Sequence, residues 1–311
     1  MMNKLSQEAF QAAKSFIEDK ARTVDIALFR HEFENGEPGA VEDALSVYQN
    51  DDGGFGHGIE PDFRTPASTP IATTVGLQHA SEAGLTAESP VVQGAIRYLA
   101  ETFDAMIPGW PLVTPAMDDA PHAPWWNYAH EGMHRGEDPA EWGNPNAEIA
   151  GYLLDYPTLV PDGLTGTVLE LVAENILSQP VNDIQMYVLL CYGRLLEHPG
   201  LPDRGRMLDK ALSATRAAVD HTPEAWSGHS FKPLWAAPTP ASPLAPAVED
   251  VIDANLDYEI EEQRADGSWL PNWNWGGHYP EAWEQASVEW AGRLTTATLR
   301  SLRAYGRIEG I

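Results

Sequence analysis

The chain has 311 residues, 43% hydrophobic and 21% charged, proportions that sustain a buried core and exclude a wholly disordered polymer. Its 46 acidic side chains against 19 Lys and Arg give a formal charge of -27, which repels phosphate backbones and anionic lipid heads and sets aside nucleic-acid and membrane-surface roles. No stretch approaches the roughly 18 consecutive apolar residues of a membrane span, no signal-peptide-like run opens the chain, and the one cysteine, Cys191, sits among apolar residues; a cytoplasmic location without membrane insertion is expected.

From the N-terminus onward, apolar residues recur at three- and four-residue spacing, and the strict alternation of a half-buried strand is nearly absent. The spacing predicts helices over residues 5–20, 23–33, 40–49, 70–83, 90–104, 146–156, 166–178, 182–196, 204–219, 247–263 and 287–305, so the expected class is all-α. Long connections rich in Pro, Gly and Trp cover 107–145 and 221–246, with shorter ones at 51–69 and 266–286. Loops beyond about 15 residues in a compact domain are commonly functional or disordered, and these are too aromatic to be spacers.

Two segments match one another. Gln49-Asn50-Asp51-Asp52-Gly53-Gly54-Phe55 and Gln263-Arg264-Ala265-Asp266-Gly267-Ser268-Trp269 share the pattern Q-x-x-D-G-small-aromatic at an offset of 214 residues. Downstream, Thr73-Thr74 corresponds to Thr295-Thr296 at an offset of 222. Each unit reads helix, tight turn, loop, helix: Gln ends the first helix, Asp-Gly turns the chain through a left-handed position, and the aromatic covers the neighbouring hairpin. Weaker copies are suggested at Trp110 and Trp226, with the helices 146–156 and 182–196 as their inner partners.

Gln263 to Trp269, followed by Trp273, Trp275, Gly276, Gly277, His278 and Tyr279, resembles the QW repeat of squalene and triterpene cyclases. Asp52-Gly53-Gly54-Phe55-Gly56 is similar to the glycine-rich turn of protein prenyltransferase β subunits. This resemblance implies an α/α toroid, a single domain over 1–311 in which a ring of inner helices surrounds a central cavity, an outer ring runs antiparallel to it, and the long Trp-, Gly- and Pro-rich loops gather at one end. It also implies a structural role for Gln263, Asp266 and Trp269. The chemistry of those families lacks its signatures here: there is no D-x-D-D, Asp51-Asp52 and Asp118-Asp119 lack the third Asp of D-D-x-x-D, and Cys191 is preceded by leucines rather than by the Asp of a zinc-binding pair.

The densest chemistry falls in residues 51–64, where Asp51, Asp52, Glu60 and Asp62, with His57 and Arg64, share a glycine-rich backbone. Two carboxyl groups in an aromatic pocket can separate their pKa values into an acid and a base, so Asp51, Asp52, His57, Glu60 and Asp62 are the candidate catalytic groups and Arg64 a candidate substrate ligand. The indole-rich connections add Trp125, Trp126, Trp142, Trp226, Trp273 and Trp275, interleaved with His130, His229, His278 and Tyr279, faces that suit a ligand with many hydrogen-bonding groups. His130-Glu131-Gly132-Met133-His134 fits H-E-x-x-H, but Gly132, Gly136 and Pro139 oppose the firm helix that zinc binding needs. The expected protein is an enzyme without metal or cofactor, acting by acid/base chemistry on an isoprenoid- or sugar-like small molecule. The alternatives are a non-catalytic toroid that binds a ligand or partner and, further off, a zinc hydrolase using His130, Glu131 and His134; oligomeric state is left open.

Overall fold

The computed structural model describes residues 2–128 and 140–311, and among these the chain is all-helical, with isolated β-bridges and no strand. Its helices are α1 (Gln7–Lys20), α2 (Thr23–Glu34), α3 (Pro38–Ser46), α4 (Pro70–Glu82), α5 (Pro90–Thr102), α6 (Gly143–Asp155), α7 (Leu164–Ser178), α8 (Met186–Leu195), α9 (Arg204–Ala218), α10 (Pro223–Trp226), α11 (Pro233–Ala236), α12 (Ile252–Glu261) and α13 (Pro280–Ala304). No helix is long and apolar enough to cross a membrane among the described residues.

Local chemistry sets the starts and stops. Ser6, Thr69 and Ser89 accept from the backbone N–H three residues on, capping α1, α4 and α5, and Pro70 and Pro90 occupy the first helical turn, where a missing N–H costs nothing. Asn35, in the left-handed region at φ 55°, ends α2. Two features depart from the spacing of apolar residues. Helix α13 begins at Pro280 rather than near 287, because a proline entering from Tyr279 starts a helix as readily as a hydroxyl cap does. The connection 221–246 holds two four-residue helices, α10 and α11, too short to show periodicity.

Two series of helices emerge from the packing. In one, α13 lies on α2, α4 on α6, α6 on α8, and α8 on α11. The other, α1, α3, α5, α7, α9 and α12, lies against the first: α1 on α13 and α2, α3 on α2 and α4, α5 on α4 and α6, α7 on α6, α9 on α8, and α12 on α11. One hydrophobic core runs from Leu5 to Ile308. The chain ends meet there, Leu5 N donating to Arg307 O at 2.8 Å and Glu309 N to Leu5 O at 3.0 Å. A cavity of about 810 Å³ is lined by residues from α2, α4, α6, α8, α11 and α13, with Glu259 of α12.

Candidate functional site

The two repeated turns have the same hydrogen bonds. Gln49 Nε2 donates to Gly53 O (2.9 Å) and to Val91 O on α5 (2.8 Å); Gln263 Nε2 donates to Gly267 O (3.0 Å) and to Ala9 O on α1 (2.9 Å). Gly53 and Gly267 share a φ of 91°, and a Cβ on either would collide with backbone, that of Gly94 or of Ala12. Phe55 N and Trp269 N donate to Thr73 Oγ1 and Thr295 Oγ1, each at 3.0 Å. Each turn therefore ties one helix of the second series to the next and to the helix that follows it, the second across the chain ends.

A third position follows the same plan. Trp110 N donates to Asn146 Oδ1 on α6 (2.8 Å), and its indole donates to Leu99 O (2.9 Å), as the Trp269 indole does to Glu259 O (2.7 Å). Trp226 differs from the expected pairing with 182–196: its indole donates to Asp220 O and its ring meets Tyr258 of α12 edge-on at 5.5 Å. It is fully buried, so it packs the core and offers a ligand no face.

These turns divide the residues of the 51–64 loop. Asp51 and Asp52 are exposed at the turn, where Asp52 Oδ1 accepts from Gly54 N (2.9 Å) and Ser68 Oγ (2.7 Å). His57 is exposed, with Nε2 2.8 Å from Asn50 Oδ1. All three serve or flank the turn, and none is carried into the site. Arg64 turns away from Glu60 and Asp62 to form a two-pronged ion pair with Glu289 of α13.

Glu60 and Asp62, by contrast, are buried, 7% and 4% exposed, beneath three indoles. Asp62 Oδ1 accepts from Trp275 Nε1 (2.8 Å) and Trp290 Nε1 (2.9 Å), and Oδ2 from Trp273 Nε1 (3.1 Å). Asp62 N in turn donates to Glu60 Oε2 at 2.7 Å. The 107–145 connection is stitched to the same loop, Ala123 N donating to Asp62 O (2.7 Å) and Arg64 N to Pro121 O (2.9 Å). Burial raises the pKa of both carboxyl groups, and the charge of Asp62 pushes that of Glu60 well above its ordinary value. Three N–H donors favour the anionic form of Asp62 and oppose the effect of its burial.

Around this pair the aromatic residues form a connected wall. Trp273 meets Trp290 at 5.2 Å and His229 at 5.9 Å, His229 meets Trp235 at 6.1 Å, and the Tyr187 hydroxyl lies 2.9 Å from His229 Nε2. Partial burial, then the Glu60 and Asp62 charges, raise the pKa of the Tyr187 phenol, while burial lowers that of the His229 imidazole. Trp126 lies edge-on to Phe63 at 5.2 Å and packs with Trp283 against Trp275; its buried Nε1 finds no acceptor among the described residues. Trp142 instead donates to Pro108 O at 2.9 Å, fastening the connection. Trp125, His278 and Tyr279 are exposed, and the Tyr279 ring is 5.7 Å from that of His122. His130, Glu131 and His134 lie outside the described residues.

Comparison with protein-family models, curated proteins and solved structures gave no match. The site must be read from its own chemistry. Among the described residues no group of three or more His, Cys, Asp or Glu side chains is placed to hold a metal ion. What the arrangement offers is a buried carboxyl whose pKa is pushed up, a neighbouring carboxyl fixed by three indole donors, and an aromatic wall carrying a phenol and an imidazole. Trp290 and Tyr187 sit on long helices, outside the Trp-rich connections, whereas Trp235 falls within the 221–246 connection. The signal for Trp290 is its seven-residue spacing from Trp283, two turns along one face of α13.

Proposed function

We propose that the chain is an α/α toroid of the prenyltransferase/squalene-cyclase kind and an enzyme that acts by acid/base chemistry on a polar organic substrate. The toroid is supported by the cavity, lined from α2, α4, α6, α8, α11 and α13, and by paired turns that link consecutive helices of the outer series. The reaction rests on one observation: Glu60 is buried beside an Asp62 carboxylate that is already held by three indole N–H groups.

In this reading Glu60 supplies a proton to a leaving oxygen and, once ionised, takes one from an incoming hydroxyl or water. Asp62 remains anionic, keeps the proton on Glu60, and stabilises positive charge that develops on the substrate nearby. Trp273, His229 and Tyr187 form the wall against which the substrate lies. The decisive experiment incubates the full-length protein with glycosides and isoprenoid diphosphates, follows products by mass spectrometry, and repeats any conversion with Glu60→Gln. Turnover should fall about 10²–10⁴-fold, the usual contribution of a general acid/base, with Tm not lowered; undiminished turnover would end the assignment.

A second reading, a non-catalytic binding protein with the same fold, is favoured by the occupation of Asp62 by three donors, which leaves it few lone pairs for a reacting atom. A tight complex recovered chemically unchanged would select it.

A further inference from the structure

The 810 Å³ cavity contains one arginine arranged unlike the others. Arg293 gives both terminal nitrogens to Glu82, Arg303 gives both to Glu32, and Arg300 divides itself between those two carboxylates. Among the described residues Arg194, on the cavity wall, gives a single hydrogen bond, Nη1 to Glu148 Oε2 at 3.0 Å, and 42% of its side-chain surface is exposed. Glu148 is itself 3% exposed and fixed from further directions by Gln78 Nε2 of α4 (2.9 Å), the Tyr152 hydroxyl of α6 (2.6 Å) and the Cys191 thiol of α8 (3.7 Å). A buried carboxylate thus aims a guanidinium whose remaining N–H groups are available, the arrangement of a pre-organised donor rather than of a completed ion pair.

Physical chemistry narrows what such a cavity accepts. A hydrocarbon would strip water from its charged walls without replacing the hydrogen bonds. An anion would face six carboxylates against four arginines, inside a chain of charge -27. A neutral molecule dense in hydroxyl groups answers donors and acceptors alike, and its C–H faces lie well on an indole. Acceptors are present in Asp155 and in Glu197, one turn beyond Arg194, and the half-buried Trp235 supplies the indole.

We propose that this cavity binds a neutral saccharide, with Arg194 donating to ring hydroxyls, Asp155 and Glu197 accepting, and Trp235 packing against a sugar face. The proposal names the substrate class for the acid/base reading and rests on it for the position of the reacting end. Trp235 of the cavity wall stands 6.1 Å from His229, and Tyr187, whose hydroxyl reaches His229, lies seven residues before Arg194 on one face of α8, about 10 Å at 1.5 Å per residue, so the cavity adjoins the aromatic wall around Glu60.

The test titrates the intact protein with maltotriose, cellotriose, xylotriose and diacetylchitobiose, and separately with spermidine, citrate and farnesyl diphosphate, following heat and tryptophan fluorescence. At least one saccharide should bind at millimolar concentration or below. Trp235→Leu and Arg194→Gln, the latter keeping one N–H for Glu148, should each weaken it about tenfold or more, the worth of one good contact. Trp235→Leu, at a half-buried position, keeps the test open should Arg194→Gln fail to fold. Binding of spermidine, citrate or farnesyl diphosphate in place of saccharides, binding of nothing in the panel, or saccharide affinity untouched by both variants overturns the proposal. The two readings fail separately: a saccharide bound but never converted removes the enzyme and keeps this inference, whereas conversion of a non-saccharide that dies with Glu60→Gln does the reverse.

Discussion

At Glu60 and Asp62, two residues apart in sequence, burial raises both pKa values, and the indole donors oppose that rise at Asp62 alone. A carboxylate that accepts three indole N–H bonds favours its charge, and that charge, with burial, keeps its neighbour neutral. A pH dependence follows. Because the folded pKa of Glu60 lies above its unfolded value of 4.5, the stability it contributes is complete below about 4.5 and is lost as pH rises and the unfolded chain ionises first. Wild-type stability, read from urea midpoints, should therefore decline more between pH 5 and pH 8 than that of Glu60→Gln; parallel profiles would show that Glu60 is ionised when folded. Asp62→Asn should cost about 1–3 kcal/mol in urea denaturation, since an amide presents N–H to indole N–H and leaves a buried donor unpaired. Asp25 behaves in the opposite sense: burial would raise its pKa, but Arg22 at 2.7 Å brings it to about 2, so its contribution is present above 3.8 and is lost as pH falls through about 2.

Single helices here are ordinary; the turns between them are what specify their neighbours. Gln49 and Gln263 each bridge from the end of one helix of the second series, α3 or α12, to a carbonyl at the start of the next, α5 or α1, and Thr73 and Thr295 receive the backbone of the covering aromatic. Gln49→Ala and Gln263→Ala should each lose about 1–3 kcal/mol, two hydrogen bonds to buried carbonyls, without altering ligand affinity. Asp52→Ala should cost about 1 kcal/mol, the worth of a capping carboxylate, and leave any turnover intact. A loss of turnover with unchanged Tm in Asp52→Ala would return Asp52 to the catalytic set. These turns were legible because much of their chemistry is local: a glycine at positive φ, a carboxylate two residues before its N–H donor, and a glutamine that closes on the carbonyl four residues on all leave marks within seven residues.

For the molecule as a whole, closure of the chain ends and the acidic charge pull in opposite directions. Arg307 is 2% exposed and ties the last residues to Asp253 and Asp257 and to Asn3 O, beside the Leu5–Ile308 bridge. Arg307→Ala should lower Tm, by about 2–4 °C for each kcal/mol lost. The charge of -27 repels itself at low ionic strength, so Tm should rise as NaCl increases from about 0.01 M to about 0.3 M, where the Debye length shrinks from about 30 Å to below 10 Å. A flat or falling Tm would show that partly buried pairs such as Arg293–Glu82 outweigh surface repulsion.

Helix class, eleven helices and the paired turns could be read from the chain alone, since periodicity and turn chemistry depend on neighbours a few residues away. Which side chains meet could not. Asp51, Asp52, Glu60 and Asp62 look alike along the sequence, yet two serve or flank a turn and two enter a buried pocket, because Trp273, Trp275 and Trp290 approach Asp62 from more than 200 residues away. Arg64 pairs with Glu289 and Arg194 with Glu148 for the same reason: charge partners in a core are chosen by the packing of distant helices, and only the tertiary structure brings them within reach.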